Sequence, residues 1–500
     1  MVAHSPPEPH IIESPESTDS SELMMLIRGG NMAKTVKTLG QLKKSGYEIL
    51  PIREELRKNL IAKIKSGENI FPGIEGYENT VVPQLQNAIL SGQDIILLGE
   101  RGQAKSRIIR SLTTLLDEWT PVLDGIELPE NPFNPISAPG KAAVRELGDR
   151  TPIRWMHRDE RYGEKLATPD ITIADLIGEI DPIKVAEGLY LSDEMTIHYG
   201  LIPRTNRGIF GLNELPDLAE RIQVGLLNVM EEHDVQIRGH KVRLPLDVLV
   251  VATANPEDYT NRGRIITPLK DRYGAQIRTH YPPTIEHEIK IMHSEANTID
   301  MDDYQLIIPP YMEQIIAEIT RLARRSPDVS QRSGVSVRAS IAGYEAVQAN
   351  AVRRAIRLGE SCAVPRISDL HYLIPSLQGK IEFETVEEGK EDQIIAKLIN
   401  GAVASVFNNM MDGVGKDSAL DGISAAFSED LSVDVGEAKK AEEYSSILDS
   451  LDGMKEIVNS ITDDNTVEMQ ASYIELVLEG MHLNKLLNKD KLQGEALYRM

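Results

Sequence analysis

Gly99-Glu100-Arg101-Gly102-Gln103-Ala104-Lys105-Ser106 is the stretch of this chain best suited to chemistry on phosphate. Glycines let a backbone curl until its N–H groups converge on phosphate oxygens, a lysine adds a point charge, and a serine hydroxyl can sit on magnesium. The apolar run Ile95-Ile96-Leu97-Leu98 precedes it, and helical spacing at Ile108, Ile109, Leu112, Leu115 and Leu116 follows, giving the strand, loop and helix in the required order. Gly99, Gly102, Gln103, Ala104, Lys105, Ser106 and Arg107 are therefore candidate nucleotide contacts. Lys105 should reach the β- and γ-phosphates, and Ser106 a magnesium ion. Ala104 stands where such loops usually carry glycine, a small change that restricts φ while still letting the backbone approach.

A second apolar run, Ile209-Phe210-Gly211-Leu212, ends in Asn213-Glu214, where a nucleotide site normally has Asp-Glu. Glu214 is a candidate base that orients attacking water. Asn213 is a candidate metal-shell residue with an amide in place of a charge, so magnesium should be held more weakly. A third run, Val248-Leu249-Val250-Val251-Ala252, leads to Asn255, a polar amide at the carboxyl end of a buried strand, where it can hydrogen-bond a γ-phosphate or its water. Arg272 and Arg338 are candidates to stabilise charge on a transferred phosphoryl group, one from a neighbouring subunit and one from a lid. Taken singly, each is more often a surface arginine.

These residues need elements to hold them. Apolar runs bounded by turn residues and separated by amphipathic stretches are what buried strands of a parallel sheet look like, so residues 71–280 predict an α/β domain. After Tyr281-Pro282-Pro283 the pattern becomes helical, as at Ile285, Ile289 and Met292 and at Ile341, Tyr344 and Val347, predicting a helical lid over 281–376. Residues 1–22, rich in Ser, Pro, Glu and His, predict a disordered tail. Residues 23–70 predict a basic helical leader with Leu56, Leu60 and Ile64 on one face. Residues 377–500, with 25 acidic and 11 basic side chains, predict an acidic helical extension.

The whole chain of 500 residues carries 54 Lys+Arg against 77 Asp+Glu, a net charge of −23. That balance argues against a general nucleic-acid coat or a polybasic membrane anchor. One cysteine, Cys362, excludes an internal disulfide framework, and the absence of an apolar leader or an apolar run near 18 residues predicts a cytoplasmic protein that spans no membrane.

Together these motifs resemble a AAA+ ATPase of the helix-2-insert clade, which contains the magnesium-chelatase ATPase (I) subunit and the MoxR ATPases. The likeness covers about residues 71–375. Phe71-Pro72-Gly73-Ile74-Glu75-Gly76, Gly99-Glu100-Arg101-Gly102, Asn131-Pro132-Phe133-Asn134 and Ala174-Asp175-Leu176-Ile177-Gly178-Glu179-Ile180-Asp181 resemble chelatase segments, while Ala104-Lys105-Ser106 is similar to the MoxR ending. The resemblance implies ATP and Mg2+ as cofactors, Asn255 as sensor 1, Arg272 as arginine finger, Arg338 as sensor 2 and Asp234 to Leu244 as a hairpin before sensor 1. Glu257 to Arg264 departs from the chelatase pattern, which leaves Arg264 as a rival finger. The resemblance further implies a ring, commonly a hexamer, that passes motion to a partner, often one with a von Willebrand A (VWA) domain.

Three other readings fit less well. An enhancer-binding transcription activator needs a Gly-Ala-Phe-Thr-Gly-Ala loop, which is absent. His287-Glu288 and His293 miss the i, i+4 spacing of a zinc-binding His-Glu-x-x-His helix. Cys362 has no histidine nearby in sequence. A nucleotide-gated scaffold with little hydrolysis is the stronger rival, and Asn213 is the residue that favours it.

Overall fold

The computed structural model describes residues 35–186, 194–232, 234–236, 243–255, 263–297, 299, 304–331, 333–384, 389–412, 417–427, 431–451, 453–492 and 495–499. The tail at 1–22, the leader up to residue 34 and the divergent segment at 256–262 lie outside the described residues.

Ile95–Leu98 forms β1, Tyr162–Leu166 β2, Gly208–Asn213 β3, Val248–Ala254 β4 and Ala275–Arg278 β5. They make one sheet in the order β5-β1-β4-β3-β2. Every neighbouring pair is parallel, with Ile95 opposite both Val251 and Ala275, Val248 opposite Gly208, and Tyr162 opposite Ile209. Every residue of β3 and β4 is buried, as sheets covered on both faces require. Alternate side chains serve opposite layers. Ile95, Leu97, Ile209, Leu249 and Val251 pack on one side with Ile108 and Ile109, while Ile96, Phe210, Leu212, Val248 and Val250 pack on the other with Leu226 and Leu269.

The parallel sheet with helices around it bears out the α/β expectation. Two strands were not legible as apolar runs: β2 reads Tyr-Gly-Glu-Lys-Leu and β5 reads Ala-Gln-Ile-Arg, and both lie at the sheet edges with mixed exposure.

Helix α1, Ile52–Ser66, covers the first layer with Ile52, Leu56 and Leu60. Ile64, expected on that face, is instead 45% exposed in the last turn before left-handed Gly67. The further helices are α2 Lys105–Ser111, α3 Glu220–Glu231, α4 Thr267–Arg272, α5 Ile285–Glu295, α6 Pro310–Ala323, α7 Arg338–Leu358, α8 Lys390–Met411 and α9 Val467–Leu483. Between α3 and β4, Asp234–Gln236 pairs antiparallel with Arg243–Pro245, Val235 opposite Leu244; the tip around Gly239 lies outside the described residues.

Most buried apolar side chains from Met292 to Tyr498 form one large cluster, with Ala351, Val352, Ala355 and Ala363 in a smaller separate one. The C-terminal stretch is not purely helical, as its composition suggested: Val433–Gly436, Glu495–Arg499 and Asn488–Leu492 form a three-stranded antiparallel sheet with Glu495–Arg499 in the middle. Short strands as polar as Asn-Lys-Asp-Lys-Leu carry little hydrophobic signal. Helix α8 is long and apolar enough by length and composition to cross a membrane. It buries Ile395, Leu398, Val403, Val406 and Phe407 in this shared core, and the Phe407 ring lies where any side chain at Gly480 of α9 would stand.

A buried ion pair ties α1 to the sheet. Arg161, just before β2, donates two hydrogen bonds of 2.6 Å to the Glu55 carboxylate, and both side chains are almost fully enclosed. Arg161 also donates to the Arg207 carbonyl. Arg207 is itself buried, and burial followed by the Arg161 charge lowers its pKa to about 10. Removing one member of such a pair leaves an uncompensated charge in the interior. Glu55→Ala should therefore cost about 3–5 kcal/mol in chemical denaturation, and Glu55→Leu with Arg161→Met should cost clearly less.

Candidate functional site

β1 lies between β4 and β5 although β4 and β5 come much later in the chain. Their carboxyl ends thus meet at a point where the strand order reverses, which is where open parallel sheets bind ligands. The loop after β1 fills that point. Gly102 has φ of 75° and Ala104 has φ of 55°, so the alanine adopts the left-handed conformation that the usual glycine would take, at a cost of roughly 1–2 kcal/mol. The Gln103 side chain pins the curl, accepting from the Glu100 amide at 3.1 Å and the Thr279 hydroxyl at 2.7 Å.

Lys105 is buried at the first position of α2. Its ammonium donates to the Gly99 carbonyl, to the Glu100 carbonyl at 2.7 Å and to Asn255 Oδ1 at 2.7 Å. Asn255 Nδ2 in turn donates to Glu214 Oε2 at 2.6 Å. One amide from the end of β4 therefore bridges the candidate phosphate lysine and the candidate base. Glu214 follows β3 with φ of 56°, and its backbone amide donates to Thr253 Oγ1 at 3.0 Å.

Ser106 Oγ donates to Asn213 Oδ1 at 3.2 Å, and Thr253 Oγ1 reaches the same oxygen at 3.4 Å. Asn213 Nδ2 points the other way and donates to Glu164 Oε1 of β2 at 2.5 Å. Glu164 also accepts from Arg110 Nε and Nη2 at 2.8 and 3.0 Å and from the Tyr162 hydroxyl at 3.0 Å. Burial opposes its charge, but these donors together with Asn213 hold its carboxyl below the usual range.

A cavity of about 360 Å³ opens over this network. Gly102, Gln103, Ala104, Lys105, Ser106, Arg107, Glu214 and Arg338 line it, so the structure brings those sequence candidates together, with Asn213 and Asn255 buried below. Gly99 lines an adjoining cavity with Thr279. Its remaining wall was not predicted from chemistry: Ile74, Tyr77 and Ile291 supply apolar surface, and Arg110 a further cation. The Tyr77 hydroxyl donates to the carbonyls of Gln103 and His280 at 3.0 and 2.6 Å, and burial pushes its pKa up to about 12. Arg107 pairs with Glu295 of α5, and Arg101 pairs with Glu382 at 3.1 Å, so the helical half closes on the loop through ion pairs.

Two candidates stand apart. Arg272, the last residue of α4, pairs with Glu231 and donates to the Pro268 carbonyl at 2.7 Å. Arg264 pairs with Glu220 at 3.3 Å. Both are held by acids at the two ends of α3, and neither lines the cavity. Of the residues set aside, His293 pairs with Glu313 at 2.7 Å and His287 bonds the Thr284 hydroxyl at 2.8 Å. Among the described residues no cluster of three or more His, Cys, Asp or Glu has metal-binding geometry. Burial, with Glu468 and Asp464, raises the Cys362 thiol to about 11.

The sigma-54 interaction domain family matches residues 186–269, the stretch that holds β3, α3 and β4. Over 245 residues the chain is 25% identical to the magnesium-chelatase 38 kDa subunit of Cereibacter sphaeroides, a match covering 47% of this chain and 66% of that protein. It is 28% identical over 256 residues to the magnesium-chelatase subunit ChlI of Synechocystis sp., covering 47% and 65%. The chain resembles the AAA+ ATPase subunit of magnesium chelatase.

This chelatase-like chain spans 66% and 61% of the lengths of the Cereibacter and Rhodobacter subunits, and the likeness falls on less than two thirds of its own length. It is also 25% identical over 256 residues to the uncharacterized protein YeaC of Bacillus subtilis, covering 47% and 74%. Among solved structures, an assembly of the magnesium-chelatase subunits BchI and BchD overlays with a TM-score of 0.34 at 18% identity, over 65% of this chain and 98% of that one. The loop that an enhancer-binding activator needs is absent from the chelatase-like sequence, despite the sigma-54 domain match.

Gly102 gives a direct structural test. A Cβ there would meet Ser336 Oγ at 2.0 Å and Ser336 Cα at 2.8 Å, in addition to the left-handed φ. Gly102→Ala should cost at least about 1 kcal/mol from the backbone alone and prise the Ser336 loop off the loop after β1, seen as faster amide hydrogen exchange at 333–337. Adding Ser336→Gly should recover part of the loss.

Proposed function

We propose that this chain binds ATP with magnesium in the cavity at the ends of β1 and β4 and hydrolyses it, working in a ring of like subunits, commonly six. The observation that carries the reading is the single hydrogen-bonded chain from Lys105 through Asn255 to Glu214, with Ser106 and Asn213 beside it. Phosphate charge would draw Lys105 from its two carbonyls, and Asn255 would turn from lysine to the γ-phosphate or its water while keeping Glu214 in place. Glu214 would orient the attacking water and accept its proton. Arg338, which begins α7 at the cavity mouth, would reach the phosphates from the lid, and Arg272, or its rival Arg264, would reach the site of a neighbouring subunit once released from α3.

The donor set suits magnesium, a hard cation that prefers oxygen: the Ser106 hydroxyl and the Asn213 carbonyl oxygen face one another at 3.2 Å. Ser106 and Asn213 would hold it where it would neutralise charge that develops on the phosphate oxygens. The resemblance to chelatase subunits supports a partner protein as the recipient of the motion, of the chelatase type or carrying a VWA domain. Asn213 favours a second reading, a nucleotide-gated scaffold that assembles on ATP and turns it over weakly.

Lys105→Ala removes a charge-assisted contact worth about 1.5–3 kcal/mol, so fluorescent-ATP binding should weaken roughly tenfold to a hundredfold; unchanged binding would place the phosphates elsewhere. Glu214→Gln should keep that binding and lower turnover by about 100-fold or more, whereas normal turnover would assign the base to another group.

A further inference from the structure

Resting on the nucleotide reading, we infer that Glu164 of β2 supplies, through Asn213, the negative charge that the magnesium site lacks at the end of β3. Asn213 offers only a neutral oxygen to a divalent cation. Its amide, however, is not free to turn: Nδ2 is held by Glu164 Oε1, which fixes Oδ1 toward Ser106 and Thr253. Glu164 thereby decides which end of the amide faces the metal side. It also places a carboxylate one side chain behind that oxygen, where it polarises the amide and makes the oxygen a better cation ligand, as second-layer carboxylates do for other metal ligands.

The strand register makes the relay possible. β2 pairs in parallel with β3, with Glu164 opposite Gly211 and Leu166 opposite Asn213. Gly211 has no side chain to separate Glu164 from Asn213 or from α2, and a Cβ there would meet the Tyr162 hydroxyl at 3.0 Å and Ile109 at 3.2 Å. Arg110, one turn along α2 from Ser106, donates to both oxygens of Glu164 and shares Oε1 with Asn213. The Arg110 side chain is 64% exposed, so water screens the charge of that pair although it makes two hydrogen bonds to the carboxylate. It balances the charge of the carboxylate. Glu164 is thus a positioning residue, not a metal ligand.

One consequence separates this inference from a simple missing aspartate. With Glu164 in place, Asn213→Asp sets two carboxylates at hydrogen-bond distance, and like charges so close cannot both ionise without cost. The single substitution is therefore no repair. Moving the charge, by Asn213→Asp together with Glu164→Gln, is one.

The test is binding of mant-ADP to the full chain, in EDTA and across a magnesium titration, with thermal unfolding recorded in both conditions. Glu164→Gln keeps a hydrogen-bond acceptor and removes the charge, so the ratio of affinity with magnesium to affinity in EDTA should fall about tenfold, the low end for loss of a second-layer partner. Asn213→Asp alone should lower the unfolding temperature in EDTA and recover it with magnesium. The double variant should regain the magnesium-dependent gain without that penalty. An unaltered magnesium-dependent gain in Glu164→Gln, or a double variant no better than Glu164→Gln, would overturn this inference alone. Failure of the unsubstituted chain to bind mant-ADP in either condition would overturn the nucleotide reading beneath it.

Discussion

The lateral position of one strand governs the rest of the molecule. β1 runs parallel between β4 and β5, with Leu98 opposite both Ala254 and Arg278, so the loop that leaves it must emerge between the ends of two other strands. Lys105 can therefore touch Asn255, which lies 150 positions away in sequence. Two apolar layers on the sheet faces hold this register, and shifting β4 by one residue would exchange Val250 with Val251 between layers. The polar site is precise because the apolar packing beneath it tolerates no such slip.

A second constraint is charge balance in places where water is scarce. Glu55, Arg161 and Arg207 are buried, with Asp247 partly so: Asp247 accepts the first amide of α1 at 2.9 Å and Glu55 accepts from Arg161. At the site, Glu214 is likewise matched to Asn255, and Glu164 to Asn213 and Arg110. The ion pairs of Arg101 with Glu382 and Arg107 with Glu295 extend the same arrangement to the helical half.

How much was legible in the sequence follows from burial. β1, β3 and β4 announced themselves because strands covered on both faces are continuous apolar runs, and the phosphate loop was readable because glycine, lysine and serine fell between a strand and a helix. β2 and β5 were silent because edge strands carry Gly, Glu, Lys, Gln and Arg. Glu164 lay inside one of those silent strands, and only the pairing of β2 with β3 brings it to Asn213. The apolar wall at Ile74, Tyr77 and Ile291 was likewise hidden, since a cavity wall assembled from a loop and a distant helix has no local period. The C-terminal sheet escaped for the reason the edge strands did, polar residues in short strands without a run to mark them.

The account stands on magnesium-dependent ATP hydrolysis in spite of an amide at position 213. The most direct measurement is steady-state ATP hydrolysis by the unsubstituted chain across a magnesium titration, with light scattering recorded with and without ATP. Turnover that rises and saturates with magnesium, accompanied by ATP-dependent assembly, is the predicted result. Assembly on ATP with no turnover at any magnesium concentration would contradict it and leave the chain a nucleotide-gated scaffold.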